Sequence, residues 1–399
     1  MPEKKNEIRI RMYRVGFGDC FLLSLGAAEK QHILVDFGVH QSGKIGTLDR
    51  VMSQIEQDTG KRLALIVASH AHADHVSGFA DYADRFTQFD IGEVWLPWTE
   101  NLEDDDAKAL RKQQLALCEA LQMHLAVSGP KAYANYAAAM ATLMNLSDDA
   151  PAMVALREGF GDRDRVKYLT AGEPPRRLAG IPGLSIDVLA PSRESKFLGR
   201  MTPPAEQRFL TARGSSTTMP DLFERQWVSE TGLLGARQKS ALHELAAVPA
   251  DLLAFTLDNV MNNTSLVLLF HYHQKTLLFP GDAQWGNWQS WITQDDAKDI
   301  LAEVDFLKVA HHGSHNATPR DVVSWLPKNK FAVMVPTQEE PFDSIPRMPL
   351  LRSLETQSGR ALVRSDSIVV PKAPKGPKLA KLPKGFKRGE LWFDCTIKV

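Results

Sequence analysis

Four metal-competent side chains fall within six residues at His70, His72, Asp74 and His75, directly after the apolar run Leu63-Ala64-Leu65-Ile66-Val67-Ala68. An apolar run of that length, ended by a polar turn, reads as a buried strand that carries the cluster on its end. His70 and His72, two apart on chain leaving a strand, can point the same way and share one cation. Asp74 and His75, one step further round, can turn toward a second cation beside it. Imidazole with carboxylate suits Zn²⁺, Mn²⁺ or Fe, and two metals about 3.5–4 Å apart form a clamp for phosphoester and other hydrolyses. The competing reading, a polar turn with scattered histidines, leaves the density of ligand types in so short a span unexplained.

The pattern His-x-His-x-Asp-His after an apolar strand resembles the metallo-β-lactamase superfamily of hydrolases. Three further segments extend the resemblance. Val15-Gly16-Phe17-Gly18-Asp19-Cys20 and Ile33-Leu34-Val35-Asp36-Phe37-Gly38 are similar to the family's opening hairpin, which implies that Asp36 lies behind the metal site. Leu277-Leu278-Phe279-Pro280-Gly281-Asp282 is similar to the strand whose terminal Asp bridges both metals, and Phe306 to Ser314 to the last ligand strand. The Gly-Asp opening, the run Asn262 to Val267 and the His311-His312-Gly313-Ser314 ending look most like the hydrolase domain of ComEC-type DNA-uptake proteins, with bacterial phosphorylcholine esterases as cousins. The resemblance implies an α/β fold, an αββα sandwich with a helical insertion. It also implies two divalent metal ions, Zn or Mn, held by His70, His72, Asp74, His75, Asp282 and His312.

A chain of 399 residues with 44% hydrophobic composition can bury a large core, and one elaborated domain over 1–399 is expected rather than two independent ones. Lys and Arg number 47 against 48 Asp and Glu, so no global basic field marks a nucleic-acid binder and any such binding is local. Cys20, Cys118 and Cys395 are an odd count without C-x-x-C spacing, which supports neither a disulfide framework nor a thiolate site and fits a reducing compartment. The charged start Met1 to Glu7 lacks the apolar core of a signal peptide, and no run reaches the roughly 18 apolar residues that span a membrane. The expectation is a cytoplasmic protein with no membrane partner, unlike the DNA-uptake proteins, so the resemblance covers the hydrolase and not transport.

Along the chain, Ile8 to Tyr13 alternates as a strand, and helices are expected over 47–57 and from Val76 to Arg85, the second with its N-terminus toward the site. Residues 99–165 read as a helical insertion built from two long helices, Leu102 to Leu125 and Ala132 to Leu156, rich in Ala, Leu, Met, Lys and Glu. Its amphipathic stripes serve packing or, alternatively, a lid or protein-partner surface. Asp104-Asp105-Asp106 reads as a helix-start cluster, and His124 as a helix residue rather than a ligand. Strands return at Val166 to Leu169 and Leu184 to Leu189. Residues 192–251 form a second, irregular insertion, a binding loop or a disordered stretch, whose His243 is not a ligand candidate.

Many members of the superfamily supply one more His between the first cluster and the bridging Asp, and His271 and His273 are the candidates by position. Ser265 to Phe270 and Thr276 to Gly281 read as an antiparallel hairpin with both histidines at its turn. Asp282 is then at the opposite end, ~20 Å away at ~3.3 Å per residue. Asn262, Asn263, Thr264 and Ser265 lie across from Asp282 instead, so polar side chains or water take the place of that His, as the resemblance to DNA-uptake relatives implies. In Phe306 to His312, alternation puts His312 on one strand face and His311 on the other, so both reach one cation only if the strand has already turned. His312 is taken as the ligand and His311 as a catalytic group that faces the substrate or the transition state, partly because the resemblance to the phosphorylcholine esterases implies it. Gly313 and Ser314 permit close backbone approach, and His315 reads as a loop residue.

Two cations sharing Asp282 would lower the pKa of a water between them, and the resulting hydroxide attacks phosphorus or carbonyl carbon. Asp74 can orient that nucleophile, while Asp36 or Asp19 can hold a ligand histidine from behind; Asn263, Ser265 and Ser314 are further candidates behind the ligands or at the substrate. The tail 371–389 carries Lys372, Lys375, Lys378, Lys381, Lys384 and Lys387 at every third residue among prolines. A polyproline II helix would align them as one positive edge able to follow phosphates, the alternative being a solvated loop. The expected function is a metal-dependent phosphodiesterase or nuclease acting on DNA or RNA. A small-molecule ester, lactone or phosphocholine-type hydrolase, and a metal-stabilised scaffold or sensor with a protein partner, are the alternatives.

Overall fold

Ile66 and Ala68 face one apolar cluster while Leu65 and Val67 face another, so the run leading into the histidine motif is a strand covered on both sides. The computed structural model describes residues 6–26, 30–42, 46–115, 150–209, 261–338, 345–367, 370–373, 376–378 and 381–399. Arg62–Val67 lies inside an eight-stranded sheet. Its order is Phe386–Arg388, Trp392–Lys398, Glu7–Tyr13, Cys20–Leu25, Gln31–Phe37, Arg62–Val67, Asp90–Pro97 and Val166–Leu169. The strands from Gln31 onward run parallel. Glu7–Tyr13 is antiparallel to both Cys20–Leu25 and Trp392–Lys398, which joins the two ends of the chain in one sheet.

A second sheet has the order Leu362–Arg364, Ala332–Val335, Val304–Lys308, Lys275–Phe279, Val267–Tyr272 and Leu184–Ala190. The inner faces of the two sheets share one core: Ile10, Phe21, Val35, Leu65 and Trp95 from the first meet Val188, Phe270, Phe279, Phe306 and Met334 from the second. Phe279 holds this contact, with ring centroids 5.6 Å from Phe21, 5.5 Å from Phe270 and 5.4 Å from Phe306. Helices Leu48–Thr59, Ala73–Asp81 and Pro151–Arg157 cover the outer face of the first sheet. Helices Trp285–Ile292, Ala297–Ala302, Arg320–Trp325 and Met348–Gln357 cover that of the second. The result is the αββα sandwich that the resemblance implies.

Helix ends follow local chemistry. Thr47 Oγ1 accepts from Arg50 N at the start of Leu48–Thr59, and Gly60 ends that helix in the left-handed conformation (φ 59°). Asp104 Oδ1 accepts from the N–H groups of Asp106 and Ala107, so the acid cluster does start a helix, over 105–115. The expected continuous helix from Ala132 to Leu156 is corrected at its C-terminal end. Ala150 is non-helical (φ −56°, ψ 119°) and a separate helix begins at Pro151, because a proline disfavours helical backbone in the residue before it. Most of both insertions, with His124 and His243, lies outside the described residues; within 192–209 the chain forms only the short helices Ser195–Leu198 and Ala205–Gln207.

The tail also differs from expectation. Val370–Ala373 and Gly376–Lys378 pair as an antiparallel hairpin, and Phe386–Arg388 joins the large sheet with Lys387 opposite Asp394. A strand alternates faces every residue, so a three-residue lysine spacing does not form one edge there. Lys381, Lys384 and Lys387 are exposed.

Two glycines let the opening hairpin press on the histidine motif. A Cβ on Gly38 would lie 2.5 Å from both the Ala73 carbonyl oxygen and the His75 nitrogen, and one on Gly18 2.4 Å from the Gly38 oxygen. Gly38→Ala is therefore expected to cost more than about 2 kcal/mol in a denaturant titration. Gly172→Ala, at an open turn with φ 82°, should cost only ~1 kcal/mol. Equal losses would contradict the backbone contact at residues 73–75.

Candidate metal centre

The motif leaves its strand with Ala68 N bonded to Trp95 O, and His72 (φ −70°, ψ 146°) is the cap residue of helix Ala73–Asp81. Asp74 falls in the first turn of that helix, where the dipole favours a carboxylate. The other sheet brings Asp282 and His312. After Lys275–Phe279 the chain turns at Gly281 (φ 54°), where a Cβ would sit 3.0 Å from the Cβ atoms of both Ser69 and Ser265, and Ser265 Oγ accepts from Asp282 N at 3.1 Å. After Val304–Lys308 the strand has turned: His311 (φ 44°), His312 (φ 51°) and Gly313 (φ 79°) are successively left-handed. The alternation argument therefore does not govern the two histidines. His312 turns inward against Phe17, ring centroids 4.3 Å apart. The His311 side chain diverges, its ring 6.2 Å from that of His312, while its backbone N–H donates to Asp282 Oδ1 at 3.1 Å.

One ligand atom each from Asp74, His75, Asp282 and His312 lies within 4.8 Å of all the others. Asp282 Oδ2 stands 3.1 Å from His75 Nε2 and 3.4 Å from His312 Nε2, and Asp74 Oδ2 stands 2.9 Å from His312 Nε2. The remaining ring nitrogens are tied from behind. His75 Nδ1 donates to Asp36 Oδ2 at 2.9 Å, His312 Nδ1 donates to the Pro336 carbonyl at 2.9 Å, and Ser69 offers its N–H and hydroxyl to Asp36. That network directs both Nε2 atoms at carboxylate oxygens, an arrangement that calls for a cation between them: a proton on each imidazole when metal is absent, or a shared metal ion in its place. The donor set thus fits a divalent metal. His70 Nε2 faces His72 Nδ1 at 3.0 Å, a second pair of converging nitrogens. Among the described residues no third His, Cys, Asp or Glu joins that pair within 4.8 Å.

Electrostatics point the same way. Burial alone would lower the His75 and His312 pKa values, but the surrounding carboxylates, Asp282 foremost, raise both above the usual imidazole range. Burial works against ionised Asp74 and Asp282 as well, yet His75 and His312 hold both carboxyls below the usual range. His70 goes the opposite way, lowered by burial and by the neighbouring His75 and His72, and is neutral and ready to ligate.

Other candidates have other jobs. Asn263 Oδ1 accepts from the backbone of Gln284 and Asn287 at the start of helix Trp285–Ile292, and its Nδ2 donates to Leu198 and Arg200 carbonyls, so it ties three segments together. Ser314 donates to Asn316 Oδ1. His271 pairs with Asp187 at 2.9 Å and His273 sits at the hairpin turn, at the end away from Asp282. Two residues were not singled out from the sequence. Lys308 is buried beside Asp282 and Asp19, and its signal was a lone lysine in an apolar strand on the face that leads to His312. Gln284 places Nε2 3.5 Å from His311 Nδ1, and nothing in its local pattern marked it.

The opening hairpin, the Asp36 support and the whole first ligand cluster fall inside a match to one family model. Residues 13–88 match the metallo-beta-lactamase superfamily. The match ends before Asp282 and His312, which the fold alone brings to the cluster. A search of curated proteins found no match to the chain. The superfamily domain together with the His/Asp cluster supports a metal-dependent hydrolase.

The raised pKa values of His75 and His312 set a pH dependence. Without metal, the imidazolium–carboxylate attraction is fully present below the unfolded pKa of ~6.5 and is lost as pH rises through the raised folded values. Metal binding must displace those protons, so it strengthens over the same range. With chelator present, the melting temperature should fall as pH is raised above about 6.5; the increment on adding Zn²⁺ should widen. An increment independent of pH would contradict this protonation assignment.

Proposed function

We propose that this chain is a metal-dependent phosphodiesterase whose substrates are DNA or RNA. The observation that carries the reading is the convergence of Asp74, His75, Asp282 and His312 within 4.8 Å, with the His70–His72 pair alongside, on one αββα scaffold. Divalent metal at these residues would supply Lewis acidity toward a phosphoryl oxygen and an activated water near neutral pH. Asp74 is the ligand residue nearest solvent, its side chain 15% exposed against 2% or less for His75, Asp282 and His312, which suits it to orient the attacking water as well as ligate. His311, half-buried beside Gln284, is assigned the proton transfer with the leaving group. The resemblance of the His311-His312-Gly313-Ser314 ending to ComEC-type hydrolase domains supports a polynucleotide, as do the exposed lysines 381, 384 and 387. The overall charge of −1 favours the second reading, a small-molecule ester or phosphocholine-type hydrolase.

The test is cleavage of labelled single-stranded DNA, duplex DNA and RNA with Mn²⁺ or Zn²⁺, beside a phosphodiester dye. Polymer cutting is expected, weakened by added salt. Asp282→Ala should lower it by more than the roughly 100-fold that removal of an outer partner costs. Turnover of the dye alone would move the substrate to a small phosphodiester. No cleavage of any of these, with metal bound, would favour the ester reading.

A further inference from the structure

Lys308 ends the strand Val304–Lys308 and is 2% exposed, among the most completely buried side chains of the fold. A lysine is buried this deeply only when its charge is compensated and its donors are used. Its ammonium has three N–H groups and three oxygens around it: the Gly281 carbonyl at 2.8 Å, Asp282 Oδ1 at 3.3 Å and Asp19 Oδ2. Asp282 is thereby divided. Oδ1 receives Lys308 and the His311 N–H, whereas Oδ2 faces the ring nitrogens of His75 and His312. The other end of the lysine's bridge, Asp19, is fully buried and stands 3.5 Å from His312 Nδ1 and 3.7 Å from His75 Nδ1, and its backbone N–H bonds Asp74 O.

We propose that Lys308 is a positioning residue of the metal centre: by occupying Asp282 Oδ1 it makes this carboxylate present Oδ2 alone, and by bridging to Asp19 it locks the two sheets' ligands in register. The inference rests on the reading of Asp74, His75, Asp282 and His312 as a metal centre. A lysine that merely balances charge in the core would stabilise the fold without changing how Asp282 meets a metal. Those two roles separate in the coordination spectrum.

The experiment is a Co²⁺ titration of the metal-free chain, read by visible absorption and by competition with a chelator, on the unsubstituted chain, Lys308→Met and Lys308→Met/Asp19→Asn. The double variant removes one of the two carboxylates that loss of the lysine leaves uncompensated, so it carries the test if the single variant does not fold. Both variants should bind Co²⁺ 10–100-fold more weakly. Their absorption bands should change in position and intensity as Asp282 becomes free to use both oxygens. Unchanged affinity and spectrum in a folded variant, whatever its melting temperature, would overturn the positioning role. Failure of the unsubstituted chain to bind Co²⁺ would instead overturn the metal-centre reading itself.

Discussion

The structure depends on how a dense group of carboxylates is kept out of water. Asp19, Asp36 and Asp282 are each no more than 2% exposed, and Asp74 is close by. Isolated, any of them would be costly to ionise at that depth. Together they are tolerable only because cationic or hydrogen-bonding partners are interleaved: Lys308 between Asp19 and Asp282, Ser69 under Asp36, and the imidazoles of His75 and His312 among all four. That interleaving orients the ring nitrogens, and strained backbone collects beside it. Asp36, His311 and His312 all adopt positive φ, each at roughly 1–2 kcal/mol for a residue with a side chain.

The sandwich is what makes the interleaving possible. The first sheet contributes Asp36, Ser69 and the His70–His75 cluster at the ends of parallel strands. The second contributes Asp282, Lys308 and His312 at the ends of its own. Neither sheet alone holds the cluster of Asp74, His75, Asp282 and His312. The aromatic contact of Phe279 with Phe21 and Phe306 fixes how the sheets meet, and Phe279 is three residues before Asp282, so core packing and ligand placement are coupled over a short piece of chain. Gly18 and Gly38 extend that coupling to the opening hairpin, whose backbone could not approach residues 73–75 with side chains in the way.

Segments outside this centre are less constrained by its chemistry. The Asp104 cap, the break at Ala150 and the Asn263 bracket are local solutions to unsatisfied backbone groups. They shape the surroundings of the site without entering it. Among the described residues no helix is long and apolar enough to cross a membrane.

What the sequence by itself determined is the part written in short-range chemistry. The first ligand cluster, the continuous apolar run that marks its strand as buried, and the hairpin that removes His271 and His273 from consideration all depend on neighbours within a few residues. Tertiary structure decided the rest. Whether His311 and His312 share a cation depended on a backbone turn that strand periodicity does not encode. Lys308 became part of the centre only when a strand 26 residues beyond Asp282 was laid beside it and against Asp19 from the opposite sheet. Part of the tail's lysine run gave way to strand pairing, with Lys372, Lys378 and Lys387 lying in paired strands, because hydrogen bonds to a partner strand outweigh a local three-residue rhythm. A candidate ligand cluster is a property of residue types at close spacing, whereas the division of Asp282 between Lys308 and the ring nitrogens of His75 and His312 is a property of distant segments packed at one point.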